Sequence, residues 1–213
     1  MRLGIFGGTF NPIHYGHLLL AETAREQLGL DRVVFIPANL PPHKRAAGLA
    51  SSEARLELVR LAIREQPAFV ASDIELERQA VSYTLETIKI LRSQLPEAKL
   101  YLLIGQDMLS VRWMGWDEIK RLSTVVVARR PGARATRPFD AAHGGLPRGL
   151  AQGRGERAKR VEPRREKGLR WLTMPQVEIA SSDIRKRIKA GRSIRYLVPP
   201  AVERSIRDRR LYR

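Results

Sequence analysis

Short apolar runs alternate with longer amphipathic stretches along most of this chain. Leu3–Phe6, Arg32–Ile36 (RVVFI), Ala68–Ala71, Lys99–Ile104 (KLYLLI) and Thr124–Ala128 (TVVVA) read as strands. Near-continuous apolar character over so few residues is the mark of a strand covered on both faces. Between and after them, Gly16–Leu28, Ser52–Arg64, Tyr83–Gln94, Ser181–Ala190 and Pro200–Arg209 read as helices. In the third of these, Leu85, Ile88 and Leu91 recur at helical spacing. Gly29 stands where a helix commonly ends, and Ser51 and Ser52 stand where one is capped. Strands alternating with helices predict an α/β fold: a mostly parallel sheet, right-handed crossovers and helices on both faces.

The pattern breaks in two places. Pro37–Ala50 is a proline-rich loop holding Pro41-Pro42-His43-Lys44. From Pro131 to Gly168 the chain is rich in Arg, Gly and Pro and has no period, and regular structure resumes at Leu169–Thr173. Residues 1–213 are therefore expected to form one domain, with an Arg/Gly/Pro-rich insertion at about 131–168 rather than a boundary there.

Charge alters this picture mainly at the insertion. The net charge is +17. Between Arg129 and Arg170 there are 13 Lys/Arg and 4 Asp/Glu, giving +9; the remainder holds 26 and 18, giving +8. Arginine outnumbers lysine 31 to 8, more than phosphate binding requires, and a GC-rich coding sequence would produce that bias. A basic segment can hold nucleic acid through its phosphates. The segment has no nucleic-acid motif and no interleaved aromatics, so nucleic acid is disfavoured as a partner. A solvated loop, a lid and an oligomer contact remain open readings, and a homo-oligomer is compatible with the sequence. There is no cysteine, which fits a reducing cytoplasm. The first strand begins at residue 3, so no signal peptide is expected, and no apolar run approaches the roughly 20 residues of a membrane helix.

The densest chemistry lies in residues 3–20, LGIFGGTFNPIHYGHLLL. A strand enters Gly7-Gly8, turns through Thr9, Phe10, Asn11 and Pro12, and reaches His14 and His17 as a helix begins. Glycines let the backbone approach a ligand closely, and a helix start offers N–H donors and partial positive charge. The two imidazoles are three residues apart and can face one side, with Gly16 expected to leave room for a ligand. Either histidine alone could equally cap or pack. Together, these features predict an anion site, most simply for a phosphate chain, beyond the carboxyl end of the first strand.

GGTFNPIHYGH resembles the signature of the HxGH nucleotidyltransferase superfamily, and more narrowly that of bacterial nicotinate-nucleotide adenylyltransferases. Three further stretches carry the resemblance: Pro41-Pro42-His43-Lys44; Ile104-Gly105-Gln106-Asp107 with Trp113 and Trp116; and Ile179-Ala180-Ser181-Ser182-Asp183-Ile184-Arg185. It spans nearly all of residues 1–130 and 170–213 and implies a Rossmann-like nucleotidyltransferase fold. The implied reaction is adenylyl transfer from ATP to nicotinate mononucleotide, by direct in-line attack, giving nicotinate adenine dinucleotide and pyrophosphate. Close alternatives transfer to nicotinamide mononucleotide or pantetheine phosphate; a basic nucleic-acid-binding protein on the same fold is the non-enzymatic one.

The resemblance also implies roles. His14, His17, Lys44 and Arg185 would be catalytic. Gly7, Gly8, Thr9, Phe10, His14, His17, Gly105, Asp107, Ser181, Ser182 and Arg185 would bind ATP. Thr9, Asn11, Lys44, Tyr83, Thr84 and Trp113 would line the mononucleotide pocket. Each has a plainer reading: Lys44 as a solvated loop lysine, Asp107 as a carboxylate at a helix start, Ser181 and Ser182 as residues just before the last motif's helix that cap it. Trp116 is expected in the core. Asn11 stands where the family often has Asp and lacks that charge, so Mg²⁺ is expected on the ATP phosphates, keeping most of its waters, with no side-chain ligands assigned.

Overall fold

A computed structural model of the chain describes residues 1–40, 48–78, 81–129, 168–175 and 177–213. Its strands are β1 (Arg2–Gly8), β2 (Arg32–Pro37), β3 (Phe69–Ala71), β4 (Lys99–Gly105), β5 (Thr124–Arg129) and β6 (Leu169–Thr173). They form one sheet in the order β3-β2-β1-β4-β5-β6, and all five pairings are parallel. β6, which follows the Arg-rich stretch, pairs with β5, which precedes it. The Arg-rich stretch itself, and Pro41–Lys44 in the earlier loop, lie outside the described residues.

Side chains alternate across the sheet as the pleat requires. Phe6, Val33, Phe35, Tyr101, Leu103 and Val126 enter one buried cluster; Ile5, Val34, Ile36, Leu102, Ile104 and Val125 enter the other. Helices α1 (Tyr15–Leu28), α2 (Ser52–Ile63), α6 (Ser181–Lys189) and α7 (Pro200–Asp208) cover the first face. Helices α4 (Thr84–Gln94) and α5 (Trp116–Leu122) cover the second.

Two short elements have no counterpart in the apolar pattern. α3 (Ile74–Glu77) is a single turn, and a 3₁₀ turn spans Gln106–Ser110. α5 also lacks an apolar period; it starts where Gly115 takes a left-handed φ of 69° and packs against Leu85 of α4. Trp116 is half-buried at the edge of the second core rather than inside it. No described helix is long and apolar enough to cross a membrane.

The strand order reverses direction between β1 and β4. In open α/β sheets the crevice beyond the strand ends at such a switch point is where ligands bind. The turns after β1, β2 and β4 and the starts of α1 and α4 all lie along this rim.

Candidate functional site on the carboxyl rim

β1 delivers Gly7 and Gly8 to the rim. A Cβ built on Gly7 meets nothing within 4 Å, so this glycine borders open space. The chain then turns sharply. Phe10 takes a left-handed φ of 45°, a costly conformation for a bulky residue, and the residue is only 2% exposed. It packs edge-on against Phe6 and His17, at ring distances of 5.5 and 5.1 Å. Phe10 is therefore buried as a whole, and its ring supports the turn from within.

His14 is the N-cap of α1. Its backbone N–H donates to Nδ1 of His17 at 3.2 Å, so the third helical residue reaches back to the cap, as Glu does in a capping box. An accepting Nδ1 places the proton of a neutral His17 on Nε2. The two imidazoles stack with centroids 3.7 Å apart. Gly16 makes this possible: a Cβ there would lie 3.1 Å from the His14 ring. The space beside Gly16, expected to hold ligand, is filled by His14. The first turn of α1 carries no acidic residue, which suits an anion.

The last motif closes on this turn from the far end of the chain. Ser181 and Ser182 are not ahead of the helix but are its first two residues; the N-cap is Ala180, which has no side-chain acceptor. The Ser181 hydroxyl donates to the Pro12 carbonyl at 2.9 Å, and Arg185 donates from one terminal nitrogen to the Asn11 carbonyl at 2.8 Å. Two helix starts, α1 and α6, thus share one turn. Ser182 is exposed.

Asn11 itself is 4% exposed and its amide faces the neighbouring loop. It donates to the Gly48 carbonyl at 3.0 Å and accepts from the Ala50 N–H at 3.1 Å. An aspartate could make only the second of these bonds, which is a structural reason for Asn in this chain. The side chain assigned to the mononucleotide pocket therefore organises the loop instead.

On the other side of the switch point, Gly105 ends β4 and the exposed Asp107 carboxylate folds back over it, where a Cβ would collide. Trp113 is half-buried, and its indole N–H donates to the Met108 carbonyl at 2.8 Å, fixing the ring. Its ring lies 5.5 Å from that of Trp116. Tyr83 is the N-cap of α4 and Thr84 its first residue, both half-buried. Behind them the Glu75 carboxylate is 6% exposed and accepts from the Thr87 hydroxyl at 2.7 Å. Burial pushes its pKa up, against the hydrogen bonds from Thr87 and Ser82.

Sequence reasoning passed over Arg55. It lies on the core-facing side of α2, one turn before the buried Leu58 and Val59, and is 1% exposed. An arginine in phase with an apolar stripe was the available signal. Among the described residues no group of three or more His, Asp or Glu could hold a metal ion.

The cytidylyltransferase-like family profile matches residues 5–187. The probable nicotinate-nucleotide adenylyltransferase of Citrifermentans bemidjiense is 42% identical over 219 aligned positions, covering 100% of this chain and 98% of that protein. That of Shouchella clausii is 38% identical, covering 99% and 96%. Among solved structures, the nicotinic acid mononucleotide adenylyltransferase of Plasmodium falciparum complexed with NaAD superposes with a TM-score of 0.74 over 99% of this chain and 97% of that one. At 15% identity it speaks for the fold alone.

Proposed function

The chain belongs to the cytidylyltransferase-like family and, within it, to the nicotinate-nucleotide adenylyltransferases, and from that premise we propose that it transfers the adenylyl group of ATP to nicotinate mononucleotide. The observation that carries this reading is the shared turn. Gly7 opens the backbone toward the crevice, His17 is held in one tautomer, and Ser181 and Arg185 tie a second helix start to the same six residues.

The chemistry asks little of proton transfer. A phosphate oxygen of the mononucleotide, already ionised at neutral pH, attacks the α-phosphorus of ATP. The new bond is O–Pα, the broken bond joins Pα to the bridging oxygen of the β-phosphate, and pyrophosphate leaves with that electron pair. No general base is needed, so catalysis is positioning of two anions and stabilisation of the charge that gathers on the leaving group. His14 and His17 bind the ATP phosphates. Arg185, anchored by one nitrogen on Asn11, offers the rest of its fork to the β- and γ-phosphates beside the α6 N-terminus. Gly105 and Asp107 meet the nucleotide ribose. Tyr83, Thr84 and Trp113 form the pyridine pocket, and Lys44 serves the acceptor phosphate. Mg²⁺ would come bound to the ATP phosphates; among the described residues no group of three or more His, Asp or Glu could hold it. A chain without cysteine fits a reducing cytoplasm, and the reaction is placed there.

The test is pyrophosphate release from ATP and Mg²⁺ with nicotinate mononucleotide, nicotinamide mononucleotide and pantetheine phosphate supplied in turn. Release is expected with nicotinate mononucleotide at the highest kcat/KM. No release with that acceptor would falsify the reading.

A further inference from the structure

A guanidinium stays charged at physiological pH, so Arg55 is a cation in the protein interior, though burial lowers its pKa. No ion pair among the described residues includes it. It is satisfied by main chain instead. Nε donates to the Ala50 carbonyl at 3.0 Å, and the two terminal nitrogens donate to the carbonyls of Thr9 at 2.9 Å and Asn39 at 3.1 Å. Thr9 belongs to the phosphate turn after β1. Asn39 and Ala50 are the two stems of the loop between β2 and α2. One planar fork therefore fastens three backbone segments together.

The connection runs on toward α4. The Asn39 N–H donates to the Ser82 hydroxyl at 2.8 Å, the Ser82 N–H donates to the Leu40 carbonyl at 3.1 Å, and Leu40 bridges to Val81. Tyr83, the N-cap of α4, is the next residue. Arg55 thus links the turn assigned to ATP with the helix start assigned to the mononucleotide, through three hydrogen bonds and the backbone of Asn39. An apolar side chain would fill the same space without the desolvation cost of a buried charge. It could not join three carbonyls, and neither could lysine, whose ammonium is a point donor on a single stem.

We infer that Arg55 is a positioning residue for the acceptor. It fixes the spacing between the Gly7–Thr9 turn and the start of α4, and so sets the affinity for the mononucleotide without touching it. The inference rests on the adenylyltransferase reading above. The experiment is steady-state kinetics and thermal melting of the full chain as Arg55→Lys and as Ser82→Ala, the latter removing the hydroxyl that accepts from the Asn39 N–H.

Arg55→Lys should raise the KM for nicotinate mononucleotide at least about tenfold while the KM for ATP and kcat move less than about threefold. Ser82→Ala should shift the same constant in the same direction by roughly threefold. Equal rises in both KM values, or none in a folded variant, would overturn the inference. Should Arg55→Lys fail to fold, Ser82→Ala decides alone: an unmoved acceptor KM in that folded variant refutes the relay. Wild-type turnover with each acceptor keeps the two readings apart. If the wild type prefers another acceptor, the functional reading falls, and the same KM split measured on that acceptor still judges Arg55.

Discussion

The helix starts of α1 and α6 flank one turn, yet they are built by opposite means. α1 begins on His14 and is closed from within: the partner of its cap is three residues away. α6 begins on Ala180, which cannot cap, and is held from outside by Ser181 and Arg185 on carbonyls 169 and 174 residues earlier in the chain. The cap bond of the first is local, although the N–H of Tyr15, its first helical residue, also donates to the Leu197 carbonyl at 3.1 Å. The second exists only when the sheet is complete. The cap of one helix start is thus set by its own segment, whereas the other is tied down only by the tertiary fold. Leaving Ala180 at the cap also keeps a side-chain acceptor from occupying the α6 N–H groups that the proposal gives to phosphate.

The largest effect should come from the local start. If His17 donates to the leaving pyrophosphate as proposed, His17→Ala removes that donor and kcat should fall at least about a hundredfold, the scale of one lost transition-state donor. Single-turnover rates at saturating ATP and mononucleotide measure it. A near-normal rate would make His17 a cap and nothing more, and the contrast between the two starts would lose its catalytic side.

Arg185→Lys probes the distant start. Lysine can still reach one acceptor but not anchor on Asn11 and fork onto phosphate at once. A fall of roughly tenfold in kcat/KM for ATP is expected, with the melting temperature lowered by only a few degrees. If melting collapses while the residual folded enzyme turns over normally, Arg185 is a tether and not a phosphate ligand.

Ala180→Asp converts the second start into one capped like the first. A capping carboxylate adds about 1 kcal/mol of helix stability and complements the dipole. The same charge faces the anions of the substrate. Stability should rise while the KM for ATP increases several-fold, and differential scanning calorimetry beside ATP titration of the rate reads both. Movement of the two in the same direction would mean that α6 does not face the phosphates.

The contrast also explains what could be read from the chain in advance. The strands were visible because β2, β4 and β5 are runs such as RVVFI and TVVVA, and the α1 start was visible because Gly7-Gly8, His14 and His17 sit within eleven residues. The loop stem bonds of Asn11 were not, since its partners Gly48 and Ala50 are defined only by where β2 ends and α2 begins. Arg55 was hidden for the same reason. Its partners are carbonyls, which leave no side-chain trace, and their proximity is a product of parallel strand order. The helix of the last motif is legible as Ser181–Ala190, but its tether is not: Ser181 looks like a cap in sequence and spends its hydroxyl on the Pro12 carbonyl in space.

A third helix start, that of α4, tests whether the remaining buried polar group on the rim belongs to function or to packing. Glu75 lies behind Tyr83 and Thr84 with its pKa raised above 4.5, chiefly by burial. The folded carboxyl therefore holds its proton to higher pH than the unfolded one. Its contribution to stability is fully present below the unfolded pKa and is lost as pH rises through the folded value. Glu75→Gln keeps an acceptor for the Thr87 hydroxyl and removes the charge. At pH 7 to 8 the variant should melt higher by roughly 2 °C, the shift that a change of under 1 kcal/mol produces in a chain of this size. Its advantage should shrink as the pH is lowered toward the ordinary carboxylate range, and the acceptor KM should stay within about twofold. Unlike α6, this start would then be steadied by a contact only twelve residues long in sequence, from a group that takes no part in binding. A fall in melting temperature at pH 8, or an acceptor KM that rises with the substitution, would show instead that the ionised carboxylate is part of how α4 presents Tyr83 and Thr84 to the mononucleotide.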